Sequence, residues 1–455
     1  MRVNNLVIAL LLSVLITVFT MSSAIGISFI FFHLIGVITC IILAENSKEK
    51  NDLFGIYFGV FTVYTIYILI AHAGYLENGN FFIYPDQGYF YPNIDALSSL
   101  PSISSIFKET IIDRVHIDYE GFFFFQGTIA YIAENYFSGN SVLLQSAHIA
   151  FYGILINLFV YKILTKYVPR KIAIKYTMIF AFFTPLFYYS PWILRDVPIA
   201  FFYAVAVYFT HTKFRLVVFI YYSMLVLITM EFRVEHGLFL LVFPFLYIYI
   251  NKASNVVSSK LWPFILVLSI AVFIGVFYIF IEEFTNSMET LRKYDDYTIE
   301  SLNDGFGAQL YKLPNGVRQL LVSLNSQVTP LPPWAGISLE RSTLIVITSL
   351  VQMINTIYWS YIFIFSVYAL FSRFVRGKLS QSLWIFLIVF ILFLLFNSAN
   401  MNVRRILGVY PILFILYVIL NTTILSAEKR KRFSRYSVIT YGALLIMYVV
   451  LKAFL

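Results

Sequence analysis

Long apolar runs alternate with short polar segments along this entire chain. Runs of about 18 or more apolar residues are long enough to cross the ~30 Å hydrocarbon core of a bilayer as helices. The pattern therefore predicts an all-α, polytopic integral membrane protein with about thirteen transmembrane helices. The predicted spans are 5–20, 22–44, 54–75, 142–165, 174–191, 196–212, 214–230, 235–251, 261–282, 343–371, 380–397, 405–426 and 436–454.

The first span has one feature of a signal peptide, because Arg2 precedes its apolar run. No cleavage site follows it, and a second apolar run begins at once. We therefore expect an uncleaved membrane anchor.

Basic and acidic residues divide unequally between alternate loops. The 455 residues are 60% hydrophobic and only 12% charged. With a cytoplasmic N-terminus, the cytoplasmic face receives 20 of the 32 basic residues but only 4 of the 23 acidic ones. This satisfies the positive-inside rule, so the net charge of +9 reflects topology and not nucleic-acid binding. The cytoplasmic basic residues are Arg2, Lys48, Lys50, Lys162, Lys166, Arg170, Lys171, Lys175, Lys213, Arg215, Lys252, Lys260, Arg373, Arg376, Lys378, Lys429, Arg430, Lys431, Arg432 and Arg435.

The apolar stretch 119–136 is the one segment whose placement the charges decide. If it were a span, every later basic loop would move to the outer face. We therefore place 76–141 wholly outside, with 119–136 as a re-entrant or interfacial amphipathic helix. A second large outer loop covers 283–342. Neither loop has the polar content of a separate soluble domain, so residues 1–455 are expected to form a single transmembrane domain.

Cysteine and histidine give no sign of a metal or redox centre. The single cysteine, Cys40, lies inside an apolar span, and the six histidines are scattered without ligand spacing. No Asp-x-Asp metal signature is present. We expect neither a metal nor a cofactor.

Arginines at the outer ends of spans are the main candidates for function. Arg195 precedes an apolar run, Arg233 lies between two spans, and Arg404 and Arg405 open another. A base on the outer face runs against the topological rule, and a guanidinium at the membrane boundary suits bidentate binding of phosphate. The plainer alternative is a snorkelling arginine that only marks the interface.

Carboxylates accompany these arginines. Asp86, in Pro-Asp-Gln-Gly-Tyr after the third span, is placed to act as a general base, although the same motif is good turn chemistry. Glu231 and Glu235 share one face if their segment is a continuous helix, and could simply neutralise a span end. Asp196 adjoins Arg195 and could pair with it. Weaker candidates are Asp118 and Glu120, which begin the amphipathic helix, and Arg318 and Trp334 in the second large loop.

The arrangement resembles the Wzy-type repeat-unit polymerases of O-antigen and capsule pathways, and more widely the GT-C class of polyprenyl-phosphate-dependent glycosyltransferases. The resemblance covers most of the chain and rests on its many spans, the outer acid after an early span, Leu-Arg-Asp at 194–196, Arg233, a long late outer loop and the segment Arg404-Arg405…Pro411. It implies a GT-C-like fold in the bacterial inner membrane.

The resemblance also implies a reaction on the periplasmic face. A growing chain would move from undecaprenyl diphosphate onto the next lipid-linked oligosaccharide. Arg195, Arg233, Arg404 and Arg405 would contact diphosphate, and Asp86 would be the leading acid. The implied partners are the lipid-linked oligosaccharide, the bilayer and other polysaccharide-assembly proteins.

Other functions stay open at this stage. A transferase that adds one sugar from a polyprenyl-phosphate donor fits nearly as well, although no soluble C-terminal domain of the kind such enzymes often carry follows the last span. An O-antigen ligase, a flippase for lipid-linked oligosaccharide and a non-catalytic scaffold are further alternatives. Transporters place ionisable groups near the bilayer centre, whereas the spans here are apolar at mid-depth apart from residues such as His33, His148 and Asn157.

Overall fold

A computed structural model describes residues 3–19, 24–77, 84–115, 119–137, 139–253, 317–337, 342–380 and 403–454, with a few further positions between 267 and 314 and between 383 and 391. These residues form helices and connecting turns, without a β-strand. They belong to two compact units. The first comprises Met1–Phe201 and Gly336–Asn355, and the second comprises Phe202–Ala335 and Thr356–Leu455.

The first unit is built from the N-terminal helices. Its helices are α1 (Val3–Phe19), α2 (Ala24–Leu43), α3 (Ser47–Glu77), α4 (Pro85–Ser98), α5 (Ile103–Phe107, followed by a π-turn at Lys108–Ile112), α6 (Glu120–Tyr136), α7 (Val142–Leu164), α8 (Arg170–Phe183), α9 (Pro185–Tyr189) and the start of α10 (Asp196–Thr210).

The second unit contains the remaining described helices. They are α11 (Val217–Phe232), α12 (Val234–Leu240), α13 (Val242–Ala253), α14 (Val317–Ser326), the later part of α15 (Thr343–Phe371), α16 (Arg373–Arg376), a 3₁₀ helix (Val403–Val409) continued by α17 (Tyr410–Ile419) and a π-turn (Leu420–Ile424), and α18 (Ala427–Phe454).

Several described helices are apolar and long enough to cross a membrane, which is consistent with the predicted membrane protein. In the described part of the chain, six are long and apolar enough: Ser47–Gly74, Val142–Leu164, Val234–Asn251, Thr343–Phe371, Arg404–Ile424 and Ala427–Val450. Shorter apolar helices cover Val7–Thr17, Ser28–Leu43, Asp196–Thr210 and Val217–Phe232. The predicted spans 261–282 and 380–397 lie largely outside the described residues, so the count of about thirteen stays a prediction.

Three segments differ from the simplest picture of a span or a loop. The predicted span 174–191 is not one continuous helix. Helix α8 ends at Phe183, because Pro185 has no backbone N–H to continue it, and a new short helix, α9, begins at Pro185. The basic run that was expected to form a loop before 436–454 is instead the first part of α18. The stretch 119–136 does form a helix, α6, and it packs on α4 within the segment between the third and fourth spans.

Helix α7 is the centre of the first unit. Nearly every residue from Leu144 to Leu164 is buried, which is typical of a helix that is apolar on all sides and surrounded by others. It packs mainly against α3 and α2. Gly153 permits the close approach, since a Cβ there would lie 3.0 Å from Cε1 of Tyr64 on α3.

Paired charges close one end of α3 and α7. The ammonium group of Lys162, only 2% exposed, lies 2.7 Å from Oε1 of Glu49 and 3.2 Å from Oε1 of the largely exposed Glu45. One helical turn further, the buried Asp52 carboxylate accepts hydrogen bonds from the Tyr161 hydroxyl, at 2.9 Å, and from Nε of Arg170. The loops at 44–46 and 165–169 therefore lie at the same end of the unit, as the predicted sidedness requires.

The Lys162 contact gives a test of this packing. Replacing Lys162 by Met strands the buried Glu49 carboxylate and should lower the free energy of unfolding by about 3–5 kcal/mol. Glu45→Gln removes the exposed partner and should cost no more than about 1 kcal/mol. Thermal unfolding of the purified protein in detergent measures both. Equal losses in the two variants would contradict the described difference in burial.

The chain reverses sharply at Arg233 in the second unit. Helix α11 ends at Phe232, and Arg233 is extended, with φ −170° and ψ 115°. Helix α12 then folds back so closely that a Cβ on Gly237 would overlap Cγ of Met230 and lie 2.7 Å from the Met230 backbone nitrogen. Before the start of α11, the hydroxyl of Tyr247 on α13 donates to the Lys213 carbonyl at 2.8 Å and accepts from the Arg215 N–H. Arg233 and the basic loop at 213–215 therefore lie at opposite ends of α11.

This reversal predicts different outcomes for two glycines. Gly237→Ala should destabilise the protein by about 1–3 kcal/mol, because the backbone nitrogen of Met230 cannot move aside. Gly442→Ala on α18 meets nothing within 4 Å and should be neutral or stabilising by up to about 1 kcal/mol. Midpoints of thermal unfolding compare the two. A neutral Gly237→Ala would mean that α12 does not pack on α11 in this way.

Candidate functional site

Arg195 and Tyr119 form the centre of a polar and aromatic cluster in the first unit. The Arg195 guanidinium carbon lies 4.1 Å from the centroid of the Tyr119 ring, and Arg195 is only 8% exposed. Tyr119 in turn contacts Tyr89 and Phe90 of α4, with ring centroids 5.8 and 5.2 Å away. Burial and the nearby Tyr119 raise the pKa of Tyr89, so its phenol stays protonated and neutral at neutral pH. We call Arg114, Tyr119, Glu120, Arg195 and Asp196 the Tyr119 cluster.

Two acids and a second arginine complete the Tyr119 cluster. Glu120, 5% exposed, begins α6, and its Oε1 lies 3.8 Å from Nη1 of Arg114. Arg114 has φ 47°, in the left-handed region that non-glycine residues rarely occupy. Asp196 is buried in the first turn of α10, where the helix dipole favours a carboxylate. The cluster as a whole therefore contains two cations and two anions, of which only Arg114 is not buried.

Asp86 lies on the first turn of α4, close in sequence to the residues that contact Tyr119. It is exposed, and Tyr89 and Phe90 follow it at positions i+3 and i+4 on the same side of the helix. The next residue, Gln87, is 1% exposed and lines a small cavity with His72 and Trp192. Asp86 is thus accessible to solvent beside an otherwise buried polar region.

The ring under Arg195 provides a test of this geometry. Tyr119→Leu removes the cation–π contact and should lower stability by about 0.5–2 kcal/mol, whereas Tyr119→Phe keeps the ring and should lose much less. Thermal unfolding of both variants measures the difference. If both substitutions cost the same, the hydroxyl and not the ring is what stabilises this region.

Arg233, Glu235, His236 and Tyr203 form a second cluster, in the second unit. Nε of Arg233 lies 3.4 Å from Oε1 of Glu235, and both side chains are about nine-tenths buried. The Tyr203 hydroxyl donates to the His236 carbonyl at 3.1 Å, and the two rings meet edge to face at 5.8 Å. We call these four residues the Arg233 cluster.

The 3₁₀ helix that carries Arg404 and Arg405 packs against the Arg233 cluster. A Cβ on Gly408 would lie 2.8 Å from Cδ2 of Tyr203, so only glycine allows this approach. Both arginines are half-buried, four and three residues before that contact. The structure therefore associates Arg404 and Arg405 with Arg233 through the Tyr203 ring.

A chain of contacts continues from this 3₁₀ helix to the second large loop. The Tyr410 ring lies 3.9 Å from that of Trp359, whose indole N–H donates to the Gln327 side chain at 3.1 Å. Gln327 directly follows α14, the short helix on which Arg318 is half-buried. Trp334, further along, is 47% exposed.

Three of the predicted acids are not placed together by the described structure. Glu231 and Glu235 do not share a helical face, because the chain breaks at Arg233 and places them on α11 and α12. The spacing argument fails because it assumed a continuous helix. Asp118 lies outside the described residues. The described ranges contain no group of three His, Cys, Asp or Glu side chains suited to a metal ion.

Sequence reasoning missed three residues that hold these clusters together. Arg114 is a basic residue in a loop predicted to lie outside. The same reasoning that identified Arg195, a basic residue on the outer face, therefore applies to Arg114 as well. Tyr119 and Tyr203 carry no comparable signal, because the chain contains 34 tyrosines. Only the fold shows which of them meets an arginine or a histidine.

Comparison with known proteins adds no family to this description. No protein-family model, no curated protein and no solved structure matches the chain.

Each cluster has the chemistry of an anion-binding centre. A buried guanidinium fixed by an aromatic ring or a carboxylate is preorganised, and its N–H groups form a planar fork that matches two phosphate oxygens. In each unit the cluster lies away from the end where the basic loops meet. Phosphate at the membrane boundary is the ligand class that these features fit.

Proposed function

We propose that this protein polymerises undecaprenyl-diphosphate-linked oligosaccharide repeat units on the periplasmic face of the bacterial inner membrane, as an O-antigen or capsule polymerase with a GT-C-like fold. The observation that carries the proposal is the set of buried or half-buried arginines at the ends of apolar helices, away from the basic loops. The positive-inside rule puts the basic loops in the cytoplasm and these arginines outside.

The number of arginine clusters suits a polymerase. The reaction uses two lipid-linked substrates, a donor that carries the growing chain and an acceptor that carries one repeat unit. Each brings a diphosphate to the membrane surface. The proposal assigns one anion to Arg195 and Arg114 in the first unit, and the other anion to Arg233, Arg404 and Arg405 in the second unit.

The proposed chemistry is displacement at an anomeric carbon. A hydroxyl of the acceptor sugar forms a bond to C1 of the donor sugar, while the bond from C1 to the diphosphate oxygen breaks. The electron pair leaves with undecaprenyl diphosphate, whose developing negative charge the arginines stabilise. The hydroxyl proton passes to Asp86, whose exposed carboxylate can act as general base. Glu235 holds the Arg233 guanidinium in position.

Two other functions use the same features. A single-sugar transferase would also need an outer phosphate site and a general base. A flippase for the lipid-linked oligosaccharide would bind the diphosphate without breaking a bond. Partner proteins of polysaccharide assembly would be shared by all three.

The test is a gel of surface polysaccharide from cells that lack the protein, with wild type or a variant restored. Arg195→Ala and Arg233→Ala should abolish the long ladder while a single repeat unit on the lipid core remains. Arg215→Ala removes an exposed arginine of a basic loop and should keep the ladder. Immunoblots must show equal protein levels.

The outcomes separate the alternatives. A ladder of normal length built from altered units would indicate a single-sugar transferase. Loss of even the single unit would indicate a flippase, a ligase or an earlier step, and the polymerase proposal would be wrong. Full activity in the Arg195→Ala/Arg233→Ala double variant would show that the proposed phosphate sites are wrong.

A further inference from the structure

Two lysines from separate segments of the second unit meet at one aromatic ring. The Nζ atoms of Lys378 and Lys429 lie 4.2 and 3.2 Å from the centroid of the Phe374 ring. Lys378 follows the short helix α16, and Lys429 is in the first turn of α18. The fold thus brings two like charges together at a shared ring, although their mutual repulsion opposes this arrangement.

The surrounding side chains are mostly basic, and the one adjacent acid, the exposed Glu428, forms no described ion pair with them. Arg430, Lys431, Arg432 and Arg435 follow Lys429 on α18, and Arg373 precedes the ring on α16. Within the ranges that the structure describes, none of these bases forms an ion pair with a carboxylate, whereas the buried Lys162 has two carboxylate partners. We call Arg373, Phe374, Lys378, Lys429 and Arg432 the Phe374 patch.

The position of the patch along α18 corresponds to the headgroup level of a bilayer. Beyond Tyr436 the helix exposes large apolar side chains. Only 11% of its most apolar 18-residue stretch is buried within the protein. Nε of Arg432 donates to the Tyr436 hydroxyl at 2.7 Å, a pairing typical of the interface between acyl chains and water. The apolar side chains that continue toward the acyl chains are Val438, Ile439, Ile446, Met447, Val449 and Val450.

We propose that the Phe374 patch binds the phosphodiester headgroup of an anionic phospholipid, with the ammonium groups of Lys378 and Lys429 as its main cationic contacts. Charge complementarity selects the ligand, because a cluster of bases directly beside a lipid-facing helix attracts anionic headgroups. Topology alone requires basic residues in the 372–380 and 427–435 segments, but it does not require two of them to meet at one ring. This site shares no residue with either arginine cluster and does not depend on the polymerase proposal.

The test is lipid binding to the purified full-length protein, measured by native mass spectrometry during titration with phosphatidylglycerol or phosphatidylcholine. Wild type should retain phosphatidylglycerol preferentially. The Lys378→Gln/Lys429→Gln variant should bind it about 30-fold more weakly, since each of the two lysines near an anionic surface contributes about 1 kcal/mol. Raising the salt concentration should weaken wild-type binding more than that of the variant.

A matched control separates the site from general attraction. Lys431→Gln removes one charge from the opposite side of α18, two residues from Lys429, and should lower affinity far less than Lys429→Gln alone. Phe374→Leu keeps all charges but removes the ring that both lysines contact. Its affinity for phosphatidylglycerol should lie between those of the wild type and the double variant. Unchanged thermal unfolding shows that each variant is folded.

Three results would overturn the proposal. Equal retention of phosphatidylcholine and phosphatidylglycerol by the wild type would exclude an anionic headgroup site. Equal losses of phosphatidylglycerol affinity in Lys431→Gln and Lys429→Gln would show that binding depends on overall charge and not on a specific site. Full retention in the double variant would place lipid binding elsewhere on the protein.

Discussion

The high free energy of an isolated charge in hydrocarbon is the constraint on which this structure depends. Charged side chains in such an environment lie at helix ends or have partners, because an unpaired ion costs several kcal/mol to bury. The described helices follow this rule in both units. Lys162 is held by two glutamates at one end of α7, and Arg195 is covered by the Tyr119 ring near the segment that follows α3. Because of this constraint, both the basic loops and the arginine clusters lie at helix ends, and the two groups lie at opposite ends.

Tyrosine hydroxyls supply much of the polar contact between helices. Tyr57, Tyr64 and Tyr222 each donate to a backbone carbonyl on another helix, those of Phe32, Ala181 and Ala206 respectively. An apolar environment offers no water to satisfy these groups, so such bonds stabilise helix pairs that would otherwise rely on packing alone. Part of the abundance of tyrosine in this chain therefore has a structural cause.

The sequence predicts the features that come from periodicity and charge. Long apolar runs locate α3, α7 and α15 within a few residues, and alternating basic loops predict which helix ends lie together. It does not predict the reversal at Arg233, because nothing in Glu-Phe-Arg-Val-Glu excludes a continuous helix. That turn depends on Gly237 meeting Met230, a tertiary contact. Likewise, Tyr119 is recognisable as a site residue only once α4 and α10 are placed around it.

Tyr203 has a mechanical consequence for the arginines around it. Its hydroxyl is bonded to the His236 carbonyl, and its ring leaves no space beside Gly408. The segment with Arg404 and Arg405 therefore cannot close on an anion without displacing the turn that holds Arg233. The backbone segments that carry these arginines are therefore packed together, and an anion bound as proposed would have to fit the spacing that this packing sets. Selectivity at this centre would arise from stiffness and not from additional contacts.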